Sequence, residues 1–87
     1  MKSLLNNFVS ARVGEGTMMF ANSFNISVVI GTGTLVLERS FDGGQYWFVV
    51  ETFTSSYEDM MTDPEGALYR WRCSVYTAGP IIGRLGQ

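Results

Sequence analysis

Apolar residues recur at every second position through most of this chain. Phe20, Phe24, Ile26, Val28 and Ile30 share one parity with Asn22, while Ala21, Ser23, Asn25, Ser27, Val29 and Gly31 hold the other. Period-two alternation marks a strand with one buried face. A second run covers Thr34 to Phe41, with Leu35, Leu37 and Phe41 opposite Thr34, Glu38 and Ser40, and with Arg39 interrupting the apolar parity. In Trp47 to Thr54 both parities are apolar at first, which fits a strand covered on both faces or one that offers its outer face to another subunit. Leu68 to Val75 puts Tyr69, Trp71, Cys73 and Val75 on one side and Leu68, Arg70, Arg72 and Ser74 on the other. Phe8 to Val13 and Ile81 to Leu85 complete the set, bounded by the turn signals Gly14-Glu15-Gly16 and Thr77-Ala78-Gly79-Pro80. Gly31-Thr32-Gly33 reads as a further turn between strands. No window carries a sustained helical stripe, and the best helical candidate, Ser55 to Asp63, ends at Pro64. The pattern predicts an all-β fold: one small antiparallel β-sandwich of about seven strands over residues 9–87, preceded by an N-terminal arm, residues 1–8.

Composition narrows what such a domain can do. With 87 residues there is room for one domain, and 46% hydrophobic against 16% charged residues argues against disorder. A formal charge of −2 argues against a dedicated nucleic-acid binder, whose footprint is a basic stripe. Histidine is absent and Cys73 is the single cysteine, which removes His-based triads, His-ligated zinc, cysteine clusters and an intrachain disulfide. The expectation is therefore no enzyme, no cofactor and no metal. Asn6 and Asn7 interrupt the apolar start Leu4-Leu5, so neither an export signal nor a membrane span is expected, and an unpaired cysteine suits folding in a reducing cytoplasm. A domain this small without a disulfide or a metal is thinly stabilised. Its high apolar fraction points to a component that shares some of its surface with a partner.

Two local motifs stand out. Ser40-Phe41-Asp42-Gly43-Gly44-Gln45-Tyr46-Trp47 is a hairpin turn in which Asp42 can accept from following backbone N–H groups, while Gly43 and Gly44 can take positive φ. Ser40, Asp42, Gly44 and Trp47 resemble the Asp-box pattern S-x-D-x-G-x-x-W, a stabilising hairpin usually remote from catalysis. Pro64-Glu65-Gly66-Ala67-Leu68-Tyr69 resembles the entry into strand F of fibronectin type III and immunoglobulin-like domains. That resemblance implies an immunoglobulin-like sandwich, with the Tyr69 hydroxyl turned back to the backbone and Trp71 and Cys73 pointing inward. Glu58, Asp59, Asp63 and Glu65 read as a solvated acidic loop. Arg70 and Arg72, with Arg39 nearby, can form cross-strand pairs with Glu38 and Glu51 or ion pairs between subunits. Tyr46, Phe48, Tyr57, Met18, Met19, Met60 and Met61 are the candidates for exposure, suited to a protein interface or to sugar stacking.

Gly33-Thr34-Leu35-Val36-Leu37-Glu38-Arg39-Ser40-Phe41-Asp42-Gly43-Gly44, Trp47, Val50-Glu51-Thr52-Phe53-Thr54, Pro64-Glu65-Gly66, Tyr69-Arg70 and Gly83-Arg84-Leu85-Gly86-Gln87 together resemble small tailed-bacteriophage virion proteins. The resemblance spans residues 31–87. It implies a head decoration or cement protein, made in the host cytoplasm and located on the virion. Its partners would be the major capsid protein and copies of itself, with a trimer around a shell axis as the natural closed form. Leu4, Leu5 and Phe8 would anchor the arm on the capsid, with Met18, Met19, Phe48, Arg70 and Arg72 completing the interface. Deleting residues 1–8 is then expected to abolish particle binding and leave the fold intact. Two other classes compete: a head–tail completion or tail accessory protein, and a carbohydrate-binding adhesion module using Tyr46, Trp47 or Tyr57.

Overall fold

The structure, a computed structural model, describes residues 2–87. The protein is all-β, with five strands among these residues: β1 (Ser3–Phe8), β2 (Arg12–Val13), β3 (Met18–Ser40), β4 (Phe48–Phe53) and β5 (Tyr57–Gly86). Every pairing is antiparallel, in the order β1-β5-β3-β4, with β2 alongside β5. Five strands rather than about seven result because β3 and β5 are long and bent. The runs 20–30 and 34–41 are one strand that continues through Gly31-Thr32-Gly33, and the expected turn at Thr77–Pro80 lies inside β5. Register shifts on β3 between Ile30 and Thr32 fall opposite Ala78 to Ile81, so the two strands bend at the same level. Ser55–Asp63, the helical candidate, is strand from Tyr57 onward, because its partner is the regularly alternating stretch Asn22–Val28.

Both flanks of β3 are used. Along one, β4 pairs Phe53 with Leu35 through Phe48 with Arg39, and the start of β5 pairs Tyr57 with Val28 through Asp63 with Asn22. Ser56 spans the gap between them, its Oγ accepting from the Ile30 N–H at 3.1 Å. Along the other flank the rest of β5 pairs Leu68 with Ser40 through Gly86 with Asn25. Tyr69 consequently has Met18 as one neighbour and Arg39 as the other, so the sheet curls until it meets itself. The inward parity of these strands forms one continuous core that includes Phe20, Phe24, Leu35, Leu37, Tyr69, Trp71 and Ile81.

Two expectations about facing need correction, and a bulge decides a position that the pattern left open. Residues 3–8 are no free arm: they pair from Ser3↔Gly86 to Phe8↔Ile81, and Leu4 (6% exposed) and Phe8 (1%) belong to the core. A β-bulge between Leu37 and Glu38 changes the parity of β4, so Val50 packs against the core while Val49 is exposed. Phe41 and Val75, expected on inner faces, are exposed where their strands leave the core. Gly83 lies against the Trp71 indole so closely that a Cβ would overlap the ring.

These placements set three stability outcomes. Phe8→Ala should cost about 3–5 kcal/mol, a large share of the roughly 4–13 kcal/mol available to a chain of this size. Deleting residues 1–8 should therefore unfold the protein instead of only releasing it from a partner. Gly83→Ala should cost about 1–3 kcal/mol through overpacking on Trp71. Urea denaturation followed by circular dichroism measures all three.

Candidate interaction surface

The β3–β4 connection is closed by its own side chains. Ser40 Oγ accepts from the Gly44 N–H at 2.9 Å and donates to Asp42 Oδ1 at 2.7 Å, and the same carboxylate oxygen accepts from the Tyr46 N–H at 3.0 Å. Gly43 and Gly44 stand at φ 75° and 96°, the left-handed region that such a chain reversal needs and that side chains resist. Trp47 Nε1 donates to the Gly44 carbonyl at 3.0 Å and fixes the indole over the turn. The Tyr46 N–H first, then the Ser40 hydroxyl, hold the Asp42 carboxyl below its ordinary range.

From this turn the indole reaches a charged layer on the outer face of β3 and β5. Arg70 sits over the Trp47 ring at 4.3 Å and its Nε donates to Glu38 Oε1 at 2.8 Å. Arg72 Nε donates to the other oxygen, Oε2, at 3.1 Å. Glu38 is buried beneath the two arginines, and so is Val36 in the next inward row. The long arginine stems thus cover apolar surface while their heads share one carboxylate. Glu51 takes no part in this ion-pair set; Arg39 pairs elsewhere.

Arg39 forms an ion pair with Asp63, at the point where the sheet meets itself. Asp63 is buried and accepts from the Tyr69 hydroxyl at 2.7 Å and from the Gly66 N–H at 3.0 Å. The hydroxyl of Tyr69 therefore turns to a carboxylate, not to the backbone as expected, because Asp63 faces inward rather than sitting in a solvated loop. Burial opposes the charge on Asp63, but the Tyr69, Gly66 and Arg39 contacts outweigh it and keep the carboxyl below its ordinary range. Burial first and the neighbouring carboxylate second push the Tyr69 phenol well above its usual value. The ring of Tyr69 meets Phe24 at 5.1 Å and Phe20 at 6.2 Å. Sequence reading missed Asp63 as an inward group. The available signal was its parity with Met61, which packs on the core two residues earlier.

Beside this node the surface turns apolar. Phe41 (61% exposed), Tyr46 (67%), Phe48 (57%) and Val49 (57%) project from the hairpin and the start of β4. Phe41 and Phe48 lie 6.5 Å apart, and the Arg39 guanidinium stacks on Phe41 at 4.2 Å. Met19, Tyr57 and Met60 are also exposed, whereas Met18 and Met61 pack against the core. The residues expected to bind a partner thus divide. Leu5, Met19 and Phe48 are exposed; Leu4 and Phe8 are core; Arg70 and Arg72 are engaged with Glu38. Cys73 is buried, its Sγ against the Val75 carbonyl at 3.4 Å, and burial raises its thiol above the ordinary value.

No protein family, curated protein or solved structure matches this chain. The geometry of its own surface is accordingly what carries a functional reading.

The Asp63 node gives a pH signature. A carboxyl depressed in the folded state stabilises the fold fully above its unfolded value, about 3.9, and that contribution is lost as pH falls through the lower folded value. The melting temperature should drop as pH is lowered from about 5 to about 2. Asp63→Asn should lower stability at neutral pH by about 1–3 kcal/mol, since it removes the charged acceptor shared by the Tyr69 hydroxyl, the Gly66 N–H and the half-buried Arg39. It should also flatten the acid dependence to the smaller slope supplied by Asp42 and Asp59, whose carboxyls are shifted the same way. Thermal melts across pH on both proteins test this.

Proposed function

We propose that this chain is a bacteriophage virion structural protein, a capsid decoration or cement protein that binds the assembled head and stabilises it. The observation that carries the reading is the apolar cluster Phe41, Tyr46, Phe48 and Val49, displayed on a hairpin stapled by Ser40, Asp42 and Trp47. Large side chains held more than half exposed on a pre-formed turn lose little entropy on docking, and aromatic anchors of this kind dominate interface energetics. The block of residues 33–47 that builds this hairpin is also the densest part of the resemblance to small phage virion proteins. In the same reading the fold is a small immunoglobulin-like sandwich, with the two halves of the bent β3 and β5 supplying its layers; the bends at Ile30–Thr32 and Ala78–Ile81 support that division. Preferential binding to the assembled shell over free subunits is what would make such a protein stabilising. The capsid contact falls to the hairpin cluster, since β1 is committed to the fold.

Purified particles test the reading. Quantitative mass spectrometry should find on the order of hundreds of copies per particle, as repeated shell sites require. Phe41→Ser with Phe48→Ser should remove the protein from particles while leaving its melting temperature close to the parent value. About a dozen copies or fewer would replace cement with a head–tail completion or tail accessory role. No association with particles, together with glycan binding that Tyr46→Ala abolishes, would replace both with an adhesion module. Trp47 is a poor stacking platform in that case, because Arg70 already covers its ring.

A further inference from the structure

The unpaired backbone groups of β1 can be assigned residue by residue. Lys2 and Gln87, just beyond the ends of the β1–β5 ladder, exchange both backbone hydrogen bonds: the Lys2 N–H donates to the Gln87 carbonyl at 3.0 Å and the Gln87 N–H to the Lys2 carbonyl at 2.8 Å. From there the register runs without a shift, from Ser3↔Gly86 to Phe8↔Ile81. In an antiparallel ladder such two-bond pairs alternate with pairs that exchange none. Leu4, Asn6 and Phe8 therefore bond to β5, and the N–H and C=O groups of Ser3, Leu5 and Asn7 point away from it. Among the described residues no other strand pairs with β1. Ser3, Leu5 and Asn7 are exposed, Leu5 by 60%.

An open edge templates pairing with another strand unless proline, a bulge, charge or very short length blunts it. The edge at the other end of the strand order is blunted in these ways: β4 carries a bulge at Val50 and the carboxylate Glu51, and residues 57–62 carry Glu58 and Asp59. β1 runs for six residues with neither proline, charge nor register shift. Cations flank it. Lys2 precedes it and rests over the Phe20 ring, and Arg12 follows it and rests over Phe8, each at 5.1 Å. Arg84 stands beside Leu5 on β5, with Glu58 on the far side of Ser27. The carboxylate next along the chain, Glu15, belongs to a segment on the inner side of β1, where its carbonyl accepts from Asn6 Nδ2 at 2.9 Å.

We propose that β1 pairs with β1 of a second copy, antiparallel, about a two-fold axis at Leu5. This register sets Leu5 against its own copy and Ser3 against Asn7, so every free donor and acceptor of these residues meets its complement. With the axis moved one residue either way, Ser3 or Asn7 would stand opposite a position outside β1. The Leu5 side chains meet on the outer face, flanked by Ser3 beside Asn7. Like charges stay apart: the two Arg84 residues are three strand spacings from each other, about 14 Å, and the two Lys2 residues about 20 Å along the strands. Both separations exceed the Debye length of about 8 Å at physiological salt. Backbone hydrogen bonds supply the affinity and the Leu5 contact fixes the register. An edge that pairs with its own copy is self-complementary and closes at two, so the expected trimer would need another surface. β1 and β4 lie at opposite ends of the strand order, and the pair therefore leaves both hairpin clusters uncovered. The proposal goes beyond the particle assignment and is testable without a capsid, so the two fail separately.

Sedimentation equilibrium of the full chain from about 10 µM to about 1 mM should show monomer passing to dimer and nothing larger. Leu5→Lys should weaken dimerisation about tenfold or more, because its ammonium meets its own copy between the two Arg84 side chains. Labelled Leu5→Lys protein should pair again when Leu5→Glu protein is added, since opposite charges then meet on the axis. Amide hydrogen exchange of the parent reads the register without any variant. Between about 50 µM and about 1 mM the Ser3, Leu5 and Asn7 N–H groups should gain protection. A parent that stays monomeric at about 1 mM, or grows past a dimer, overturns the proposal. So does full-strength dimerisation of folded Leu5→Lys protein, or a folded Leu5→Glu variant that fails to recruit it. If either variant fails to fold, the exchange pattern decides: unchanged exchange at Ser3, Leu5 and Asn7 across that range rejects the β1 contact.

Discussion

The curl of the sheet is the constraint on which the rest of this structure depends. One strand, β3, is paired along both flanks by the chain that follows it, and the two pairings converge at Tyr69. A closed arrangement of this kind gives a small chain a core with few unsatisfied edges in its interior. It also forces a polar group inward where backbone segments converge. Asp63 fills that place, tying Tyr69, the Gly66 N–H and Arg39 to one carboxylate. A buried charge is tolerable only when paired and fully hydrogen-bonded, and here its partners are Arg39 from β3 and Gly66 and Tyr69 from β5 itself. The ion pair is therefore also a register lock, since a slip of one residue in β3 would turn Arg39 to the opposite face.

The outer face repeats this solution in looser form. Glu38 holds Arg70 and Arg72, and Trp47 covers Arg70. The hairpin that presents Trp47 also presents Phe41, Tyr46 and Phe48. Stability and stickiness thus share one device: the hydrogen bonds of Ser40 and Asp42 that order the turn also order the aromatics that project from it. A loose loop would bury those aromatics against its own domain or lose entropy when it docked; a stapled one does neither.

Much of this was legible in the sequence, and the parts that were not share a physical cause. Alternation in 20–30, 34–41 and 68–75 identifies β-structure, because side-chain period survives bending and the breaks are short. The positions at which strands end are less legible. Gly31-Thr32-Gly33 and Thr77–Pro80 carry turn residues, but the same residues also permit a bend within a continuing strand. Parity fails at the bulge beside Leu37, which exchanges Val49 for Val50. The status of residues 3–8 could not be read from their own pattern: Leu4, Asn6 and Phe8 alternate with Leu5 and Asn7 whether the segment waits for a partner or already has one. Only the register with residues 81–86 decides, and that is a long-range fact. Asp63 was misplaced because a carboxylate at an inward position looks like a loop residue until its counter-charge, 24 residues away, is found.

That long-range pairing also explains why net charge is a poor guide to what this surface meets. A value of −2 suggests a nearly neutral, unselective domain. Folding sorts the charges instead. Three cations are drawn into contact with Glu38 and Asp63, and four carboxylates are left exposed along residues 48–67, the segment that lacks any cation. Lys2, Arg12 and Arg84 form no ion pair among the described residues; Lys2 precedes β1, Arg12 is on β2 and Arg84 on β5. Exposed charges of one sign on an edge strand keep identical edges apart, and they favour an edge of opposite sign. With backbone groups open along that edge, the carboxylates are what discourage it from pairing with its own copy.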